Sequence, residues 1–217
     1  MKICVIGAGL SGLVTIKELK EESHEVVCYE KSSRFGGVFG LHDGKSAAYD
    51  EGMLTVSNYF MAFSSLKPEE AERRYWTWAE YHQYLQTFVE TFDLLPHITF
   101  NAEVREIERT VAGKWLIRTL IAGEERAELF DALAVCTGRY RVPLMPELNG
   151  LSDFGGEVWH SFDYKNAAPF KDKRVVCIGF GGRGLYSPPK RNSDWFRCPQ
   201  CGQVSCIMIF LRSPTLT

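Results

Sequence analysis

Four apolar residues, Ile3 to Ile6, open the chain and run directly into Gly7-Ala8-Gly9-Leu10-Ser11-Gly12. A short apolar run bounded by glycine reads as a buried strand. Helix-forming residues follow over 13–22, and a second strand-like run over 25–30 ends on the acid Glu30. Farther on, Thr77 and Glu80 have the spacing of a capping box. Trp78, Tyr81, Leu85, Phe88, Val89 and Phe92 then recur at steps of three and four. This predicts an amphipathic helix over 78–92 whose aromatic stripe faces a core. His82 lies off the stripe and is expected in solvent. After Pro96, apolar runs over 97–100, 103–107, 115–121 and 129–136 predict strands. Ala112-Gly113 and Ala122-Gly123 supply turns, so part of this stretch is a β-meander. A further strand over 174–178 leads into Gly179-Phe180-Gly181-Gly182-Arg183-Gly184.

Strand, Gly-x-Gly-x-x-Gly and helix in that order form the opening of a dinucleotide-binding unit. Gly7 permits the tight turn, Gly9 lets the backbone approach a pyrophosphate, and Gly12 lets helix and strand pack closely. The unpaired N–H groups and positive dipole end of the helix then face the phosphates. Glu30 stands about where a carboxylate takes the ribose hydroxyls. An acid there disfavours a 2′-phosphate, which leaves FAD or NAD. The Gly36-Gly37 pair past the second strand reads either as another close backbone approach to phosphate or flavin, or as a plain turn.

The chain has 217 residues, 45% hydrophobic, and a net charge of −2. It reads as globular, with no electrostatic case for nucleic acid. No apolar run approaches the roughly 20 residues needed to cross a bilayer. The first strand begins at Lys2, leaving no room for a secretory signal. Seven cysteines, odd in number and scattered, fit a reducing, cytoplasmic setting better than a disulfide framework. Cys198, Cys201 and Cys206 cluster near the end, but three thiolates fall short of a four-ligand structural zinc site.

Glu30-Lys31-Ser32 followed by Phe35-Gly36-Gly37-Val38 resembles the FAD-binding start of flavin-containing monooxygenases and their Baeyer–Villiger relatives. Phe39 stands where that family usually has Trp. Phe154-Gly155-Gly156-Glu157-Val158-Trp159-His160-Ser161-Phe162-Asp163-Tyr164-Lys165 resembles the family fingerprint F-x-G-x-x-x-H-x-x-x-Y-K. The resemblance covers about residues 1–184 and implies an α/β fold. The plan it implies is a Rossmann-like FAD domain with three ββα layers and an inserted meander over 1–150. A crossover and the start of an incomplete NADPH domain follow over 151–184.

The resemblance further implies FAD held by Gly7, Gly9, Ser11, Gly12, Glu30, Lys31, Gly36, Gly37 and Val38. Backbone groups near Val104 would meet the adenine, and Gly138 would pass close to the cofactor. NADPH would sit at Gly179, Gly181 and Gly184. Asn58, in a stretch similar to the family's Thr-Asn…Met-Ala-Phe-Ser segment, is the catalytic candidate, with a loop turn as its alternative. Phe154, Gly156, His160, Tyr164 and Lys165 are better assigned to coupling domain geometry than to acid–base chemistry.

After Gly184 the pattern fails. Pro188 and Pro189 fall where a helix should continue, at about 3 kcal/mol each. Residues 185–217 are expected to be a divergent, disordered tail with no strand or helix of a nucleotide fold, so the chain reads as truncated, alternatively spliced or mispredicted. The implied activity is that of an FAD- and NADPH-dependent monooxygenase. It would pass one oxygen from O₂, through a flavin C4a-hydroperoxide, to a nitrogen or sulfur nucleophile or a ketone. A catalytically incompetent FAD-binding fragment and a two-nucleotide flavin reductase are the alternatives.

Overall fold

The computed structural model describes residues 1–40, 52–138, 143, 145 and 147–170, with the strand segments 174–178, 195–196 and 207–211. Two compact units result, 1–46 with 56–139 and 47–55 with 140–217.

In the first unit, β1 (Lys2–Ile6) leads through the glycine turn into α1 (Leu10–Glu21), which returns to β2 (Glu25–Tyr29). A four-residue helix, α2 (Asn58–Met61), and the longer α3 (Trp78–Thr91) precede β3 (Ile98–Thr99). The meander is β4 (Ala102–Arg109), β5 (Trp115–Ile121) and β6 (Glu124–Phe130), and β7 (Ala132–Val135) closes the unit. The main sheet has the order β3-β2-β1-β7, and every pairing in it is parallel. The meander strands pair antiparallel.

Strand alternation assigns the two faces of the sheet. Cys4, Ile6 and Tyr29 pack with Ala102, Ile117 and Phe130 against the meander. The Tyr29 and Phe130 rings meet edge to face, 6.2 Å apart. The intervening residues, Ile3, Val5, Val26 and Cys28, belong to the other face. There α1 lies against β1, β2 and β7 and contributes fully buried Leu13 and Ile16, each worth about 1.5–3 kcal/mol. Meander, parallel sheet and helices form the three layers expected of a Rossmann-like FAD domain.

Two boundaries differ from the sequence reading. The run over 129–136 is two strands, β6 and β7, separated by Asp131, whose N–H donates to the Lys2 carbonyl at 2.8 Å. The helix α1 starts earlier than 13, because Gly9 already acts as its N-cap.

In the second unit, β8 (Val158–His160) and β9 (Arg174–Ile178) share a sheet with β10 (Trp195–Phe196) and β11 (Ile207–Leu211), in the order β10-β9-β11-β8. The tail was expected to be disordered, with no strand or helix that continues a nucleotide fold. Two strand segments, β10 and β11, lie within it, and β11 pairs antiparallel with β8 and β9. Among the described residues, no helix is long and apolar enough to cross a membrane.

Candidate cofactor site

The chain order β1, β2, β3 moves one way across the sheet, and β7 then pairs on the other side of β1. The carboxyl ends of β1 and β7 therefore flank a topological switch point, where open α/β sheets bind ligands. Gly7 stands at the end of β1 and Cys136-Thr137-Gly138 at the end of β7. A Cβ on Gly7 would lie 2.7 Å from the Cys136 carbonyl oxygen. A Cβ on Gly12 would lie 1.9 Å from the Gly7 carbonyl oxygen, so helix and turn touch through bare backbone.

Gly9 caps α1 with no side-chain hydrogen bond. The first N–H groups of α1, including those of exposed Ser11, have no intrahelical partner, and their dipole end is positive. Facing this turn is the Gly36–Gly37 pair. The Gly36 N–H donates to the Ala8 carbonyl at 2.8 Å. Gly37 has φ +59, and its Cβ would stand 3.1 Å from the Gly9 Cα. Val38 follows, half-buried in a short 3₁₀ turn.

Glu30 is almost wholly buried. Its Oε2 accepts the Ala8 N–H at 2.7 Å, and its Oε1 accepts from the Ser32 N–H and Oγ–H, both at 2.8 Å. The carboxylate thus ties the glycine turn to the end of β2. Lys31 next to it is exposed. In the meander, the pairing of β4 with β5 slips between Val104 and Glu106. Such a bulge leaves one residue's backbone groups outside the ladder. Gly138 has φ +73, and among the described residues nothing stands within 4 Å of where a side chain would go.

The helix α3 fixes the surrounding loops. Its capping box forms as predicted: the Glu80 N–H donates to Thr77 Oγ1 at 3.2 Å, and Glu80 Oε2 accepts the Thr77 N–H at 2.8 Å. Phe39 meets Trp78 and Tyr81 edge to face at 5.3 and 4.9 Å. Tyr84, which the periodicity passed over, is buried, and its hydroxyl accepts the Phe63 N–H at 2.7 Å. The Tyr81 hydroxyl donates to the Met61 carbonyl at 3.0 Å. His82 is not solvated as expected. It stacks on Phe35 at 5.7 Å and 10°, and its Nδ1 lies 3.1 Å from the Phe39 carbonyl. The loop over 35–39 covers the helix flank that the stripe alone leaves open.

Asn58 is fully buried. Its Oδ1 accepts the N–H groups of Tyr59 and Arg74 at 2.9 and 2.8 Å, and its Nδ2 donates to the Glu72 carbonyl at 3.1 Å. Most of its amide is spent holding the 72–74 segment against α2.

In the second unit, Tyr164 is buried and stacks on Phe170 at 5.5 Å. The His160 Nδ1 accepts the Phe162 N–H at 3.0 Å, which puts the proton of a neutral ring on Nε2. Lys165 Nζ donates to the Phe162 carbonyl at 3.2 Å. Phe154 ends a 3₁₀ turn, and Gly156 lies in the bend before β8. These residues build one turn around β8. Gly179, Gly181 and Gly184 lie outside the described residues, as do Cys198, Cys201 and Cys206. Among the described residues, no group of three or more His, Cys, Asp or Glu is placed to hold a metal.

Two glycine turns in backbone contact, a helix N-terminus without a side-chain cap and a buried carboxylate beside them form a set suited to a dinucleotide. The cradle would be filled by side chains at the glycine positions.

The family model for flavin-binding monooxygenase-like proteins matches residues 1–186. A 4-hydroxybenzoate brominase (decarboxylating) of Marinomonas mediterranea is 44% identical over 181 residues, 83% of this chain and 34% of that protein. Flavin-containing monooxygenase 5 of Mus musculus is 33% identical over 193 residues, 84% of this chain and 36% of that protein. The chain therefore spans about a third of the length of these relatives. The structure of S-allyl-L-cysteine S-oxygenase from Allium sativum superposes with a TM-score of 0.78 at 27% identity, over 85% of this chain and 47% of that one. Matched over most of its length in sequence and in fold, the chain belongs to the flavin-binding monooxygenase-like family.

Proposed function

We propose that the first unit is the FAD-binding part of an NADPH-using monooxygenase. In this reading the N–H groups at the start of α1, with Gly7, Gly9, Ser11 and Gly12, hold the pyrophosphate. Glu30 takes the adenosine ribose, with Lys31 beside it. Backbone at the Val104 bulge meets the adenine, while Gly36, Gly37, Val38 and Gly138 let the chain pass close to the cofactor. When bound, FAD would accept a hydride from NADPH and activate O₂, and the protein would orient it and keep water away. The substrate class is a soft nitrogen or sulfur nucleophile or a ketone. Gly179, Gly181 and Gly184 are the proposed NADPH contacts. Phe154, Gly156, His160, Tyr164 and Lys165 set the geometry of the crossover. Asn58 keeps a proposed place near the flavin through the backbone that it orders.

The observation that carries this reading is the backbone approach of Gly37 to Gly9 beside a helix start that no side chain caps. It is tested by oxygen uptake with FAD, NADPH and a thioether. Uptake that depends on the thioether and yields sulfoxide supports it. No uptake from a folded, FAD-loaded chain would remove the activity and leave only the binding.

The 44% identity to the brominase favours a second reading, oxidative bromination of a hydroxybenzoate. Bromide and 4-hydroxybenzoate added to the same assay separate the two, since only the second reading yields a brominated phenol.

A further inference from the structure

The Gly36–Gly37 turn is built from backbone, yet its position is set by a side chain from another element. His82, on α3, reaches it at three points. Its ring stacks on Phe35 before the turn at 5.7 Å. Its Nδ1 lies 3.1 Å from the Phe39 carbonyl after the turn. A Cβ on Gly36 would be 3.4 Å from the same nitrogen. Because a carbonyl only accepts, Nδ1 carries the proton.

We propose that His82 is a positioning residue for the cofactor cradle, clamping the Phe35–Phe39 loop so that Gly37 stays against Gly9, and that its protonation loosens the clamp. The inference rests on the flavin reading for its ligand. The Nδ1–H donor survives protonation, so the hydrogen bond is not the switch. The switch is the added charge. His82 is half-buried, and Arg34 on the same loop and Glu90 on its own helix are the charged groups lining the cleft beside it. Phe35, Leu95 and Phe100 wall the rest with apolar surface. Burial holds the His82 pKa below the ordinary histidine value; the Phe39 carbonyl opposes this and Arg34 reinforces it.

The sign follows. A proton is bound less well in the clamped state than in the open one, so lowering the pH favours the open loop. Flavin affinity therefore falls as the pH drops below the free histidine value, about 6.5.

The test pairs two variants. His82→Asn keeps a donor near the Nδ1 position and removes the titration. His82→Phe keeps the ring on Phe35 and removes the donor. Two quantities are read on the full chain: the FAD dissociation constant from about pH 7 to about pH 5, and amide hydrogen exchange at Gly36 without FAD. Wild type should lose affinity severalfold on acidification. His82→Asn, which keeps the donor but loses the stack on Phe35, should bind somewhat more weakly than wild type at neutral pH, with a flat profile. His82→Phe should bind roughly threefold to tenfold more weakly throughout, with faster exchange at Gly36. Wild-type affinity and wild-type Gly36 exchange in His82→Phe would overturn the proposal, as would a pH profile shared by all three proteins. If the chain binds no FAD but Gly36 exchange still rises in His82→Phe, the flavin reading fails while the clamp stands.

Discussion

Gly9 and Gly37 meet backbone to backbone, so that a Cβ on Gly37 would stand 3.1 Å from the Gly9 Cα. They come from two different loops, one after β1 and one after β2. The contact makes a single cradle from two turns that are separate in sequence.

Gly37→Ala should disturb this contact without unfolding the unit. Its φ of +59 penalises any side chain by about 1–2 kcal/mol, and Gly9 backbone must give way. FAD affinity is expected to fall about tenfold, with the circular dichroism spectrum unchanged. Gly12→Ala is the contrast. Its Cβ would be 1.9 Å from the Gly7 carbonyl oxygen, so α1 cannot seat on β1, and thermal melts should show no cooperative native state.

Glu30→Gln should discriminate between flavins. The carboxylate accepts from Ala8 and from Ser32, and an amide must turn an N–H toward one of these donors. Each mismatch of a buried group costs about 1–3 kcal/mol. FAD, which carries the adenosine ribose, should bind at least about tenfold more weakly. FMN, which lacks it, should lose less affinity, because only the displaced glycine turn affects it. Parallel titrations with the two flavins check this.

Asn58→Ala should destabilise the fold as well as any site nearby. The substitution leaves the Arg74 N–H and the Glu72 carbonyl without the amide that now satisfies them. The expected loss is about 3 kcal/mol in urea unfolding. A purely catalytic Asn58 would leave the unfolding curve unchanged.

The α3 cap should fail in acid. The Arg74 guanidinium beside Glu80, helped by the Thr77 N–H, holds the Glu80 carboxyl down at about 2. A carboxyl held low in the folded state contributes stability above its unfolded value, and that contribution fades as the pH falls from about 4.5 toward about 2. The pair is largely exposed, so the effect is a fraction of what the shift alone implies. Glu80→Gln should be less stable than wild type at neutral pH, and the difference should shrink across that acid window in denaturant melts.

The sequence was legible where a local rule decides the structure. Gly7-x-Gly9-x-x-Gly12 specifies its turn because helix and strand can touch only without side chains. Thr77 and Glu80 specify the start of α3 by reciprocal hydrogen bonds. Legibility ended where a distant segment decides. Glu124–Phe130 reads as polar because β6 has only Phe130 buried and Glu128 half-buried, so its pairing with β5 leaves no alternating pattern. His82 looks solvent-facing on a helical wheel, and the distant 35–39 loop covers it. The Asn58 partners lie at 72 and 74, and no spacing in the chain announces them.

The central claim is that the two glycine turns and Glu30 hold FAD. Titrating the full chain with FAD and following flavin fluorescence tests it directly. The account predicts a saturable, one-to-one change that is weakened in Gly37→Ala and Glu30→Gln. A chain with a cooperative thermal melt that leaves FAD fluorescence unchanged up to ~1 mM would contradict it.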